Sequence, residues 1–69
     1  MLEVNTIGET AGLVWSFLRS NGDTSLSALE KGIEAPKAVI SMAVGWLARE
    51  GKIELKDDKR AVRISLREL

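Results

Sequence analysis

Residues 25–66, SLSALEKGIEAPKAVISMAVGWLAREGKIELKDDKRAVRISL, decide the fold. Apolar residues first recur at helical spacing in two segments, which are separated by a short turn containing Gly32 and Pro36. Two runs of alternating apolar and polar residues follow Gly51, a pattern typical of a β-hairpin. The order of helix, tight turn, helix and hairpin predicts a mixed α+β domain.

A longer helix is predicted upstream of this stretch. Thr6 and Glu9 fit a capping box and place the helix start at Thr6, while Asn21-Gly22 supplies a C-terminal stop. Its apolar arc consists of Ile7, Ala11, Val14 and Leu18, widened by Leu13, Trp15 and Phe17.

Two glycines of this helix, Gly8 and Gly12, lie outside the apolar arc and beside Trp15. Each costs about 1 kcal/mol relative to alanine in a helix interior. Close packing of another chain segment against this strip would explain them. The alternative is a glycine tolerated near a frayed helix start, and we favour it for Gly8.

The next two helices are predicted from a capping box and from the position of a proline. Thr24–Leu26 is long enough only for a very short strand, and Ser27 with Glu30 forms a second capping box that starts the second helix. Pro36 fits the first position of a third helix, which ends near Glu50. Its predicted inward arc is Val39, Ile40, Ala43, Val44, Trp46 and Leu47.

The hairpin has one predicted buried face and one solvated face. Ile53 and Leu55 alternate with charged residues in its first strand, and the second strand has the same period of two. The turn is Asp57-Asp58-Lys59-Arg60. Three helices, a short strand and a two-stranded β wing make a winged helix-turn-helix, and we expect residues 1–69 to form one such domain.

Composition argues against several function classes. The chain has no cysteine and no histidine, so thiolate chemistry and imidazole bases or ligands are absent. No carboxylate spacing resembles a calcium loop, and no serine, threonine or carboxylate has a partner that would activate it. We therefore expect no enzyme, metal, cofactor or small-molecule substrate. With no apolar run of membrane-spanning length, a cytoplasmic protein without membrane contact is expected.

Charge is unevenly spread although the net charge is zero. Residues 1–36 carry two basic and five acidic side chains, whereas residues 52–67 carry six basic and three acidic ones. Overall charge therefore cannot attract nucleic acid, and any such contact would be local to the hairpin.

The outward face of the third helix favours nucleic-acid binding less than the winged helix-turn-helix fold does. Helices that read bases usually present Arg, Lys, Asn or Gln in their N-terminal half, and here only Lys37 and Ser41 are polar there. The rest of the face is largely small or apolar, and the residues proposed for a protein interface are Ala38, Met42, Gly45 and Ala48. Small side chains would let another backbone approach closely, or they merely favour helix and solubility.

The basic side chains of the wing could contact phosphates, which position a protein on nucleic acid without reading sequence. The residues predicted to bind nucleic acid are Lys37, Ser41, Arg49, Lys56, Lys59, Arg60 and Arg63. The alternative is an ordinary solvated sheet face, whose edge lysines discourage aggregation. Interleaved Glu54, Asp57 and Asp58 would weaken binding.

Two stretches carry a family resemblance. Ile7-Gly8-Glu9-Thr10-Ala11-Gly12 followed by Trp15, and Ala43-Val44-Gly45-Trp46-Leu47-Ala48-Arg49-Glu50-Gly51-Lys52-Ile53, resemble the signatures of a small bacterial and archaeal family. That family is described as a winged helix-turn-helix domain of unknown function. The resemblance covers nearly the whole chain and implies the fold, but no substrate or binding residues.

Two function classes follow from these observations. One is a nucleic-acid-binding transcriptional regulator with weak sequence readout, which uses the third helix and the wing. The other is a protein-interaction or homodimerisation module, which uses the small-residue face of the third helix. The fold favours the first because the wider superfamily contains many DNA-binding regulators, an analogy at the level of fold alone.

Overall fold

The computed structural model describes residues 4–58 and 61–67. Within these residues, three helices and three antiparallel strands follow one another as α1 Val4–Asn21, β1 Thr24–Ser25, α2 Leu26–Gly32, α3 Lys37–Arg49, β2 Ile53–Asp58 and β3 Ala61–Leu66. The sheet order is β1-β3-β2, so that the short strand joins the hairpin on its β3 side. The predicted α+β winged helix-turn-helix is confirmed.

The core lies between the helices and the inner face of the sheet. α1 packs mainly on α3, and both α1 and α2 contact β3. The buried apolar residues are Ala11, Val14, Leu18, Leu29, Ile33, Val39, Ile40, Ala43, Val44, Leu47, Ile53 and Ile64. The helical arcs predicted for α1 and α3 supply most of them, because an amphipathic helix must cover its apolar face.

The start of α1 differs from the prediction. The helix already includes Val4, so Thr6 lies within its first turns and is exposed rather than capping it. A threonine followed three residues later by a glutamate is also tolerated on the solvent side of a helix. The predicted end is confirmed, since Gly22 has a φ of 79° and its N–H donates to the Leu18 carbonyl at 2.7 Å.

The cap of α2 also differs from the prediction. Ser25, not Ser27, is the N-cap residue: its extended backbone places its Oγ to accept a hydrogen bond from the Ala28 N–H at 3.1 Å. Ser27 is a residue of the helix itself, and its side chain is exposed to solvent. The predicted short strand ends at Ser25, and the helix begins at the next residue.

α3 begins one residue later than predicted. Pro36 is its N-cap rather than its first residue, and its carbonyl accepts hydrogen bonds from the N–H groups of Val39 and Ile40, both at 3.0 Å. The predicted stop is confirmed. Gly51 has a φ of 73°, which suits glycine because it lacks a β-carbon, and it turns the chain into β2.

The hairpin register sets which side chains share a face. Leu55 faces Ile64 and Lys56 faces Arg63 across the antiparallel pair. Ile64 on the central strand is fully buried, whereas Leu55 is 47% exposed. The prediction that Leu55 belongs to the buried face is therefore wrong in part. β2 is an edge strand, and of its two apolar residues only Ile53 is buried.

Candidate nucleic-acid interface

The N-terminal half of α3 presents two polar side chains to solvent. Lys37 and Ser41 are both exposed and lie one turn apart on the helix. Arg49, the last residue of α3, is exposed as well but lies about 18 Å further along the axis. α3 therefore carries polar groups at both ends and does not bring Arg49 next to Lys37.

The hairpin brings two of the predicted cations together. Lys56 and Arg63 are directly opposite each other in the β2–β3 register, and residues so paired have β-carbons about 5 Å apart on one face of a sheet. Like charges in such a pair destabilise a hairpin unless an anion lies close by. This pair is the most concentrated positive charge among the predicted residues that the structure describes.

An acidic residue missed by the sequence reasoning lies beside this pair. Arg63 Nη2 is 3.3 Å from Asp23 Oδ1, and both side chains remain about half exposed. The contact forms because β1, which follows Asp23, pairs with β3 and places Ser25 opposite Arg63. Residues so distant in sequence give no local signal of such proximity.

Among the remaining wing residues, the acidic ones were predicted to weaken nucleic-acid binding and the basic ones to contact phosphates. Glu54 and Asp57 of β2 are both exposed. Glu54 shares the sheet face of Lys56 and Arg63 and places negative charge beside them, whereas Asp57 lies on the opposite face. Lys59 and Arg60 of the predicted turn lie outside the described residues.

The predicted protein interface is partly open. Ala38, Met42 and Gly45 are exposed on α3, while Ala48 is half-buried against the core. No atom outside the helix lies within 4 Å of the position that a β-carbon on Gly45 would occupy. Space for close approach by another molecule therefore exists at Gly45.

A groove between α1 and α3 corrects two further expectations. It measures about 690 Å³ and is lined by Gly8, Gly12, Trp15 and Trp46, among others. Trp46 is 40% exposed rather than inward, since the glycines opposite it have no side chains to cover its ring. Within the described residues no segment packs on Gly8 or Gly12, so the expected close packing is wrong within one molecule.

In the described part of the chain, neither a metal-binding site nor a membrane-spanning helix is found. Its helices include none that is both long enough and apolar enough to cross a bilayer. Over the same residues, no three acidic side chains gather in a way that could hold a metal ion.

Comparison with known proteins agrees with the fold. A family model described as "Winged helix-turn-helix domain (DUF2582)" matches residues 1–66. The uncharacterized protein MJ1608 of Methanocaldococcus jannaschii is 48% identical over 60 residues, which covers 81% of this chain and 84% of that protein. No solved structure matches.

Proposed function

Since this chain belongs to the DUF2582 family of winged helix-turn-helix domains, we propose that it is a non-enzymatic nucleic-acid-binding module acting in transcription regulation. It contacts the phosphate backbone through the wing and the start of α3. Its readout of base sequence is weak. This assignment extends what many winged helices do to the side chains that this chain presents.

The Lys56–Arg63 pair carries the proposal. Two cations are held in register on an exposed hairpin, and a phosphate is a suitable counter-ion because it can accept hydrogen bonds from both. Arg63 already has Asp23 as a neighbour at 3.3 Å, so phosphate must compete with that carboxylate. Binding is therefore expected to be modest.

Weak readout follows from the composition of α3. Lys37 and Ser41 are the polar residues of its exposed N-terminal half, and neither offers the fixed two-donor geometry with which arginine recognises guanine. The neighbouring Ala38 and Met42 can make only apolar contacts. Affinity should accordingly vary little between duplexes of different sequence.

The experiment is a fluorescence-anisotropy titration of labelled duplex DNA at two salt concentrations. Between roughly 50 and 200 mM salt the affinity should fall steeply, because each phosphate contact releases a condensed counter-ion. Replacing Arg63 or Lys37 by alanine should weaken binding and reduce the magnitude of the slope of log K against log salt by about 0.9 each.

Arg19→Ala is the matched control. It removes the same charge as Arg63→Ala, but Arg19 lies on α1, 5.2 Å from the ring centre of Trp15, and outside the proposed surface. Its effect on binding should be slight. Absence of binding at low salt, or equal weakening by Arg19→Ala and Arg63→Ala, would contradict the proposal.

A second candidate, a protein-interaction module, is favoured by the open surface of α3. Met42 is 43% exposed, and the neighbouring Gly45 leaves room for a partner backbone. A partner, or a second copy, would bury Ala38, Met42 and Gly45, with Ala48 at the margin. Such a surface needs no phosphate and is insensitive to Arg63→Ala.

Gly45→Leu tests this second candidate. The added side chain points into open space, so the domain should stay folded while close approach of a partner at Gly45 is blocked. Loss of a protein complex in this variant, with DNA affinity unchanged, would favour protein interaction through α3. Retention of every complex would exclude that face.

A further inference from the structure

The outer edge of β2 has hydrogen-bonding groups that the described chain does not use. The sheet order leaves β2 at an edge, and the Arg67 N–H donates to the Lys52 carbonyl at 3.0 Å. Because hydrogen-bonded and non-bonded pairs alternate in an antiparallel ladder, Glu54 and Lys56 also direct their backbone groups at β3. The N–H and C=O groups of Ile53, Leu55 and Asp57 therefore point outward.

An apolar side chain marks the middle of this edge. Leu55 is 47% exposed, although it shares its sheet face with the fully buried Ile64. The two residues that flank it, Glu54 and Lys56, are exposed, opposite in charge and directed to the other face of the sheet. The edge thus has an apolar centre with a negative charge on one side and a positive charge on the other.

We propose that this edge binds a second copy of the chain, β2 against β2, antiparallel and centred on Leu55. In that register the two Leu55 residues face each other. Glu54 of each copy lies opposite Lys56 of the other, so two complementary charge pairs form across the two-fold axis. The inference is independent of the proposed function and concerns the protein without nucleic acid.

Charge selects this register over its neighbours. If the two-fold axis passed through residue 54, Glu54 would face its own copy, and if it passed through residue 56, Lys56 would do so. A register in which residue 54 of one copy faces residue 55 of the other is also excluded. Such a one-residue shift would bring the core face of one sheet next to the solvent face of the other. Centring on Leu55 pairs opposite charges along the middle of the strand.

The outward backbone groups fit the same arrangement. The Leu55 pair would exchange two hydrogen bonds and each Ile53–Asp57 pair two more, about six in all. The interface is small, so the dimer should form only at high protein concentration. The net charge of zero leaves no long-range repulsion between copies.

A charge-reversal experiment tests the proposal by sedimentation velocity across micromolar to millimolar protein. Wild type should pass from monomer to dimer, and Glu54→Lys or Lys56→Glu should each weaken dimerisation about tenfold or more, since both charge pairs become repulsive. An equimolar mixture of the two variants should form a heterodimer, because its charges are again complementary.

Two variants control for charge and for the α3 face. Lys37→Glu changes net charge as Lys56→Glu does but lies on α3, so the dimer should persist. Gly45→Leu should also leave it intact. A wild type that stays monomeric, a mixture that does not associate, or a dimer abolished by Gly45→Leu would overturn the proposal.

A crosslinking measurement avoids dependence on charge variants. The chain has no cysteine, so Leu55→Cys introduces a single thiol at the centre of the proposed interface. Paired residues at that position have α-carbons about 5.5 Å apart, within the range that a disulfide spans. Mild oxidation should give a covalent dimer, whereas Leu13→Cys, which is similarly exposed on α1, should not. Equal crosslinking of both variants would refute the proposal.

Discussion

The ring of Phe17 on α1 lies against Gly32 at the end of α2. A β-carbon on residue 32 would overlap the Phe17 ring. Gly32 has an ordinary negative φ, so space, rather than backbone conformation, excludes a side chain there. The close approach seats the end of α2 against α1 and precedes the turn into α3.

Gly32→Ala and Gly45→Ala should therefore change stability in opposite directions. At residue 32 the new methyl group must displace Phe17, and we expect a net loss of about 1–2 kcal/mol in the free energy of unfolding. At residue 45 the methyl group enters open space, so the better helix propensity of alanine should add up to about 1 kcal/mol. Urea denaturation followed by circular dichroism measures both. Equal effects of the two changes would show that the Phe17 contact is unimportant.

Ser25→Ala and Ser27→Ala should separate the true cap from the predicted one. Ser25 Oγ accepts from the Ala28 N–H, and loss of such a cap costs about 1 kcal/mol. Ser27 is exposed within α2, where alanine is a better helix former, so this change should be neutral or slightly stabilising. Midpoints of thermal unfolding compare the variants. A larger loss for Ser27→Ala would mean that α2 begins later than Leu26.

Leu47→Ala should destabilise the domain severely. Leu47 is 3% exposed in the core between α1 and α3, and such truncations cost roughly 2–5 kcal/mol. Since small domains have total stabilities of about 5–15 kcal/mol, this loss removes a large share of the stability of the domain. Leu13→Ala is the control, because Leu13 is 52% exposed and should lose far less. Tryptophan fluorescence during denaturation reports both.

The sequence predicted the core well because burial imposes a period on the chain. Val14, Leu18, Ile40 and Leu47 recur at helical spacing and are all buried, and the hairpin alternation placed Ile64 correctly. Periodicity reports which face of an element is apolar, but it does not report how far neighbouring elements extend over that face. Leu55 shares its sheet face with the buried Ile64, yet it lies on the edge strand and is 47% exposed.

Capping signals were less reliable because short polar motifs occur in several contexts. Thr6 with Glu9 and Ser27 with Glu30 each fit a capping box. Serine and threonine are also tolerated on exposed helix faces, and Thr6 and Ser27 lie on such faces within α1 and α2. The Asp23–Arg63 contact could not be found at all. It depends on β1 pairing with β3, and nothing local to either residue encodes that pairing.

Asp23→Asn links this contact to the proposed function. The carboxylate occupies Arg63 at 3.3 Å, and removing its charge frees the guanidinium for phosphate. We expect DNA affinity to rise by roughly 1.5- to 5-fold, the equivalent of the 0.2–1 kcal/mol typical of an exposed ion pair. Stability should change little, since both side chains are about half exposed. Fluorescence anisotropy at low salt measures the change.

The control for Asp23→Asn is the same substitution in an Arg63→Ala background. Without the guanidinium, the carboxylate has no cation to occupy, so most of the gain should vanish, leaving only the small long-range effect of removing one negative charge. A double-mutant cycle separates the two contributions. If Asp23→Asn strengthens binding equally with and without Arg63, the carboxylate acts through net charge alone and Arg63 does not contact phosphate.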